Sequence, residues 1–239
     1  MPAGMVRAVE VKVLSVLGMR AVLDDLGPRF ERSSGNRLAI SFTTLGGALK
    51  RVQTGETADV VIIPQRGIER LAGEGRIAAD SVIVFAQSRM GVAVRKGAAR
   101  PDISSPESLK RALLEVKSFT YPNPAHGASS GIHFAKVLER LGIAREVKSK
   151  TVFLPEAGPV GMLVASGKAE LAVHQIQELA PVPGIEIVGP LPDDLQDTLV
   201  FAAAVMVGSG EAAASKALVD YLRSREAAKI IRAKGMEPL

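Results

Sequence analysis

Val11-Lys12-Val13-Leu14-Ser15-Val16, followed at once by Leu17-Gly18-Met19-Arg20, decides the fold class. The first six residues read as a strand, Gly18 breaks it, and Val22, Leu23, Leu26 and Phe30 then recur along one face of a helix. Gly35-Asn36 closes that helix, residues 38–42 predict a second strand, and a loop over 43–47 leads to a helix ending near Gly55. A third strand is predicted over 59–63. Strands alternating with helices imply right-handed crossovers and a parallel sheet.

The next extended segments are Val82-Ile83-Val84-Phe85-Ala86 and residues 91–95. Ser105-Pro106-Glu107 opens a helix, with Ser at the cap, Pro at the first position and Glu facing the positive end of the dipole. A second round of alternation predicts a strand over 118–121, a helix over 132–141 closed by Gly142, a strand over 151–154, and a helix over 159–166 closed by Gly167. Strands over 171–173 and 185–188 follow, and the apolar run 199–207 returns the chain to the first lobe before two last helices, 212–222 and 226–234. The expected division is lobe 1 from 1–84 and 196–239, and lobe 2 from 85–195, with two crossings forming a hinge and a ligand cleft between the lobes.

A chain of 239 residues with 47% hydrophobic content buries about three quarters of its unfolded surface. With no Cys it has no disulfide and no cysteine nucleophile. Its net charge of +5, from 30 basic and 25 acidic residues, is spread along the chain and is compatible with an anionic ligand without demanding one. Aromatics at 4%, with no interleaved basic run, argue against nucleic acid. Charged residues interrupt every apolar stretch, which argues against membrane insertion. Residues 1–10 show neither the apolar core nor the cleavage site of a secretory signal. The expected location is cytoplasmic if this is the native start, and periplasmic if a leader has been trimmed.

Chemistry concentrates in Tyr121-Pro122-Asn123-Pro124-Ala125-His126-Gly127-Ala128-Ser129-Ser130-Gly131, a strand end, a loop of small residues and a helix start. Backbone N–H groups at a helix N-terminus, with the hydroxyls of Ser129 and Ser130, suit an anion. Similar turns stand at Gly18, Met19 and Arg20, at Thr43, Thr44 and Gly46, and at Gly158, Pro159 and Val160. In open α/β sheets such carboxyl ends line the ligand crevice. Asn123, Gly127, Ala128 and Gln175 complete the candidate ligand set. Arg20 pairs with an oxyanion if it points into the cleft; otherwise it is a solvated charge, and Arg89 is similar.

Gly127-Ala128-Ser129-Ser130-Gly131 also satisfies G-x-S-x-G, but it stands too far beyond the strand end for a nucleophile elbow. Gly208-Ser209-Gly210 is a weak imitation of a dinucleotide fingerprint and reads as a helix cap. His126, His133 and His174 show no metal-ligand spacing, and no cofactor is implied. His126 is set apart by its place in the donor-rich loop, as a base or a charged anion contact.

The order of elements resembles the molybdate-binding family of ABC-importer substrate-binding proteins, with the type II periplasmic-binding-protein fold. The likeness spans nearly the whole chain. It rests on the first strand and turn through Ala21-Val22-Leu23, on Gly47-Ala48-Leu49-Lys50-Arg51-Val52 with Gly55 and Ala58-Asp59-Val60, and on residues 131–142 after Pro124. The resemblance implies an α/β protein of two lobes, each a mainly parallel sheet flanked by helices, closing on a molybdate-like oxyanion or a small organic carboxylate. It also implies an ABC-transporter permease as partner if the protein is exported. Family members hold the oxyanion with a Ser in each of the first two turns; here those positions read Gly18 and residues 44–46. Losing both serines weakens the case for molybdate and makes a carboxylate a competitor. A similar fold occurs in aconitate isomerases, so a cofactor-free isomerase of a di- or tricarboxylic acid is the alternative, with His126 or Glu156 moving the proton.

Overall fold

The computed structural model describes residues 8–156 and 158–239. Two compact units are present: one runs through Gln87 and resumes at Val200–Leu239, and the other is Ser88–Leu199. The first begins with β1 (Glu10–Val16), α1 (Arg20–Ser34), β2 (Arg37–Thr43), α2 (Leu45–Gln53), β3 (Val60–Pro64), α3 (Gln65–Gly73) and β4 (Ile83–Ser88). The second holds β5 (Met90–Arg95), α4 (Pro106–Glu115), β6 (Phe119–Thr120), α5 (Ser129–Arg140), α6 (Gly161–Ala165), β7 (Leu171–Gln175), α7 (Ile176–Leu179) and β8 (Ile185–Pro190). The chain returns to the first unit through β9 (Leu199–Val205), α8 (Ala212–Tyr221), α9 (Arg225–Ala233) and β10 (Glu237–Pro238). No helix among the described residues is long and apolar enough to cross a membrane.

In the first unit the strand order is β10-β4-β9-β3-β1-β2. β3, Val-Val-Ile-Ile-Pro, is buried at every residue, as a strand covered on both faces must be. α1 buries Val22, Leu23, Leu26, Gly27 and Phe30, the stripe its periodicity predicts, and ends at Gly35, whose φ of 74° only glycine adopts freely. Glu31 of α1 accepts from the Leu38 N–H at 2.8 Å, satisfying a donor of β2, the strand at one end of the sheet order.

In the second unit the order is β6-β7-β5-β8. β7 is buried throughout and serves two cores. Leu171 and Val173 pack with Phe119, Tyr121, Phe134 and Val137, while Ala172 packs with Val160, Leu163 and Val164.

The sheets are less parallel than the alternation of strands and helices predicts. β1 is parallel to β2 and β3, but β9 lies antiparallel to β3, and β10 to β4. In the second unit β6 is parallel to β7, and β5 runs antiparallel to both β7 and β8. β5 follows β4 after a single residue, and β9 is entered without a helix. A strand with no helical crossover before it is released from the parallel requirement.

Smaller departures have local causes. The strand expected over 151–154 is reduced to one bridge, Thr151 to Phe119, because its neighbour β6 is only two residues long. β6 stops short of Pro122, which has no backbone donor to pair. α5 starts at Ser129, three residues earlier than expected, and α6 is confined to five residues after a Pro159-Val160 turn.

Asp59 fastens the amino end of the first sheet. Its carboxylate accepts from Lys12 N at 2.9 Å and from Ser209 Oγ at 2.8 Å. Its backbone N–H donates to Lys12 O, and its carbonyl accepts from Met206 N. Asp59→Ala strands a part-buried donor on β1 and frees the Ser209 hydroxyl of the returning chain after β9. We expect a loss of about 2–3 kcal/mol, read as a lower urea midpoint with an unchanged slope.

Asp102 precedes α4 and accepts from the Ser104 backbone N–H and from Ser108 Oγ; these bonds hold its carboxyl at about 2. A depressed carboxyl favours the folded state above its ordinary value near 3.8, and that contribution disappears as pH falls toward 2. Carboxyl NMR titration should show the low value, and Asp102→Asn should remove this part of the acid dependence.

Candidate functional site

Parallel registers place the candidate turns of the first unit along one edge. Val16 pairs with Thr43, and Ser15 with Ile62, so β1, β2 and β3 end side by side. Leu17, Gly18 and Met19 make a single 3-10 turn between β1 and α1. Met19 points into the core, fully buried, so only its backbone is left for a ligand. Arg20 is exposed at the first position of α1, where the helix dipole disfavours a cation. Its guanidinium lies 4.2 Å over the Phe42 ring, and it enters none of the ion pairs among the described residues.

The second turn is tighter than the sequence suggests, because α2 begins at Leu45 and Gly46 already belongs to its first turn. Thr44 is its N-cap, and the Thr44 hydroxyl accepts from Gly47 N at 3.1 Å. A Cβ on Gly47 would lie 2.3 Å from Thr43 Oγ1 and 3.2 Å from Thr44 Oγ1. Glycine here lets both threonine hydroxyls crowd the helix start. Ser15 lies near this edge, but its hydroxyl is buried and committed to Ile62 O at 2.9 Å.

The second unit repeats the arrangement. Phe119 pairs in parallel with Leu171 on one side and with Thr151 on the other. The chain therefore leaves one edge at the loop after β6, at the segment after Thr151, and at Gln175, the last residue of β7. Asn123, His126, Gly127, Ala128, Ser129 and Ser130 follow the end of β6 in the chain, Glu156, Gly158, Pro159 and Val160 follow Thr151, and Gln175 ends β7; Ala157 lies outside the described residues. Arg89 precedes Met90, which pairs with Gln175, and its guanidinium is engaged by Asp193.

The loop after β6 is built by short-range bonds. Asn123 Oδ1 accepts from Ala125 N at 3.0 Å, His126 is exposed on the 3-10 turn Pro124–His126, and Gly127 reverses the chain at φ 73°. Ala128 is the N-cap of α5 and has no side-chain acceptor, so the first-turn N–H groups point from the helix uncapped. A Cβ on Gly131 would sit 2.0 Å from Pro122 O, so glycine alone allows the loop to press on the helix start. Tyr121 holds the base of the loop, its ring 5.1 Å from those of Phe134 and Phe153. Ser129 opens α5 rather than standing on a strand-to-helix elbow, and the hydrolase geometry is absent.

Buried polar groups collect beside this edge. His174 Nδ1 accepts from Gln175 N at 2.8 Å, which leaves its proton on Nε2, 3.4 Å from Glu178 Oε2. Burial alone would raise the Glu178 carboxyl, but the pairing with His174 outweighs it and holds the carboxyl below its usual range. Gln175 donates from Nε2 to Asp197 O at 3.5 Å, and its Oε1 is buried with no partner, as are Thr120 Oγ1 and Gln177 Nε2. The sequence reading names Gln175 but gives no role to Thr120 or Gln177. Thr120 stands out only as a polar residue ending the apolar strand β6, and Gln177 as one in the short α7 that follows β7.

The chain is 34% identical to an aconitate isomerase of Pseudomonas sp over 233 residues, 95% of this chain and 87% of that one. It is 27% identical to the molybdate-binding protein ModA of Azotobacter vinelandii, over 96% of this chain and 90% of the relative. Among solved structures, the substrate-binding domain of a putative molybdenum ABC transporter from Clostridium difficile superposes with a TM-score of 0.80. That match is 17% identical and covers 97% of this chain and all of that domain. The model of the bacterial extracellular solute-binding protein family matches residues 11–237, and the chain belongs to that family, with the fold of its molybdate-binding type.

Proposed function

We propose that the protein binds a small organic carboxylate, using turn amides, hydroxyls and Arg20. The uncapped start of α5 carries this reading, because several donors converge there with no acceptor from a capping side chain. Arg20 adds an unpaired cation at a place where the helix it begins does not favour one. A carboxylate is favoured over a metal oxyanion for two reasons. The first turn offers Gly18 in place of a hydroxyl, and identity is higher to the aconitate isomerase than to the molybdate-binding relative. As a solute-binding protein of this family it would work outside the cytoplasmic membrane and deliver its ligand to an ABC permease.

The 34% identity to an aconitate isomerase over nearly the whole chain supports a second reading, in which the bound acid undergoes an allylic proton shift. A base takes a proton from the carbon beside the double bond, the double bond moves, and the far carbon is protonated. That exchange needs no redox partner. His126 and Glu156, both exposed at the edge of the second unit, are the groups to carry the proton.

Thermal shift against di- and tricarboxylates, molybdate, tungstate, sulfate and phosphate tests the first reading, with NMR of each mixture to test the second. A ligand at a hundredfold excess over its Kd stabilises by about 2.7 kcal/mol, so a carboxylate should raise Tm in a concentration-dependent way. Silence from every anion at millimolar concentration overturns the reading. Arg20→Ala should weaken the carboxylate about tenfold or more by calorimetry and leave the Tm of the free protein within about 2 °C. If NMR shows conversion, His126→Ala or Glu156→Gln should abolish it while the thermal shift persists.

A further inference from the structure

We infer that the ligand presents an alcoholic hydroxyl as hydrogen-bond donor to Gln175 Oε1; the inference rests on the carboxylate reading above and specifies its substrate class. Gln175 is 2% exposed, and its Oε1 has no partner. Its Nε2 lies 3.5 Å from the Asp197 carbonyl, and the flipped form would set two carbonyl oxygens against each other. The orphan atom is therefore an acceptor.

Its place in the unit associates it with the donors of α5. Alternation along β7 puts Gln175 on the same face as Leu171 and Val173, which pack against Phe134 and Val137 of α5. α5 starts beyond the end of β6, the parallel neighbour of β7, so its first turns share the edge at which β7 ends. His133, in the second turn of α5, reaches Leu195 O at 2.9 Å, two residues from the Asp197 carbonyl that Gln175 engages. One corner thus holds uncapped N–H donors and a buried, unmet acceptor.

A ligand made only of acceptors suits half of that corner. Molybdate, sulfate and a fully ionised dicarboxylate answer the amides and set an oxygen against Oε1. A hydroxy acid answers both, its carboxylate taking the amides and its hydroxyl donating to Gln175. Sites built around a hydroxyl reject analogues that lack it, because the protein group is left unpaired.

Titration calorimetry with matched acids differing by one hydroxyl tests this: malate against succinate, citrate against tricarballylate, with molybdate and sulfate alongside. In the unsubstituted protein the hydroxylated member should bind at least about tenfold more tightly than its partner. Gln175→Met, of similar length and without the acceptor, should bring the two affinities within about twofold. Equal affinities in the unsubstituted protein, or a preference that survives in Gln175→Met, overturn the inference while leaving the carboxylate reading intact. Binding of none of these probes overturns both.

Discussion

Parallel pairing of β1 with β2 and β3, and of β6 with β7, is the constraint on which the rest depends. A parallel neighbour is reached only through a crossover, so each such strand ends where a turn and a helix must begin. In each unit this gathers the helix starts on one edge, where N–H groups lack intrahelical partners. The antiparallel strands do different work. β5 and β9 carry the chain between units, and because they run antiparallel to β7 and β3 they lead into α4 and α8 at the opposite ends of the sheets.

Close approach at those edges is a matter of missing Cβ atoms. Gly47 admits Thr43 and Thr44 to the start of α2, and Gly131 admits the Pro122 carbonyl to the start of α5. The two helix starts then differ in one respect that matters. Thr44 answers a first-turn donor of α2 from within the chain, whereas Ala128 leaves α5 unanswered. Small residues in similar turns therefore have different uses, and hydrogen bonding, not composition, separates them.

Much of the fold was legible in the sequence where one period dominates. The stripe of Val22, Leu23, Leu26 and Phe30 predicted α1, and Ser105-Pro106-Glu107 predicted the start of α4 with its cap, Ser105 accepting from Ser108 N. Strand direction was not legible, because alternation with helices says nothing about strands entered without a crossover. Nor was the two-residue length of β6, set by Pro122 against a pattern that continued to Tyr121. At the candidate site the loop after β6 stood out through its small and hydroxyl-bearing residues. The unmet acceptor of Gln175 did not, since whether a buried amide finds a partner depends on Asp197, far along the chain.

The central claim is that the start of α5 is an anion site, and the backbone amides there report on it directly. Assigned NMR spectra recorded through a titration with a di- or tricarboxylate should show the amide protons of Ser129, Ser130 and Gly131 moving downfield and saturating together, as donors do when they gain a charged acceptor. Saturable binding of the acid that leaves these three amides in place would contradict the account.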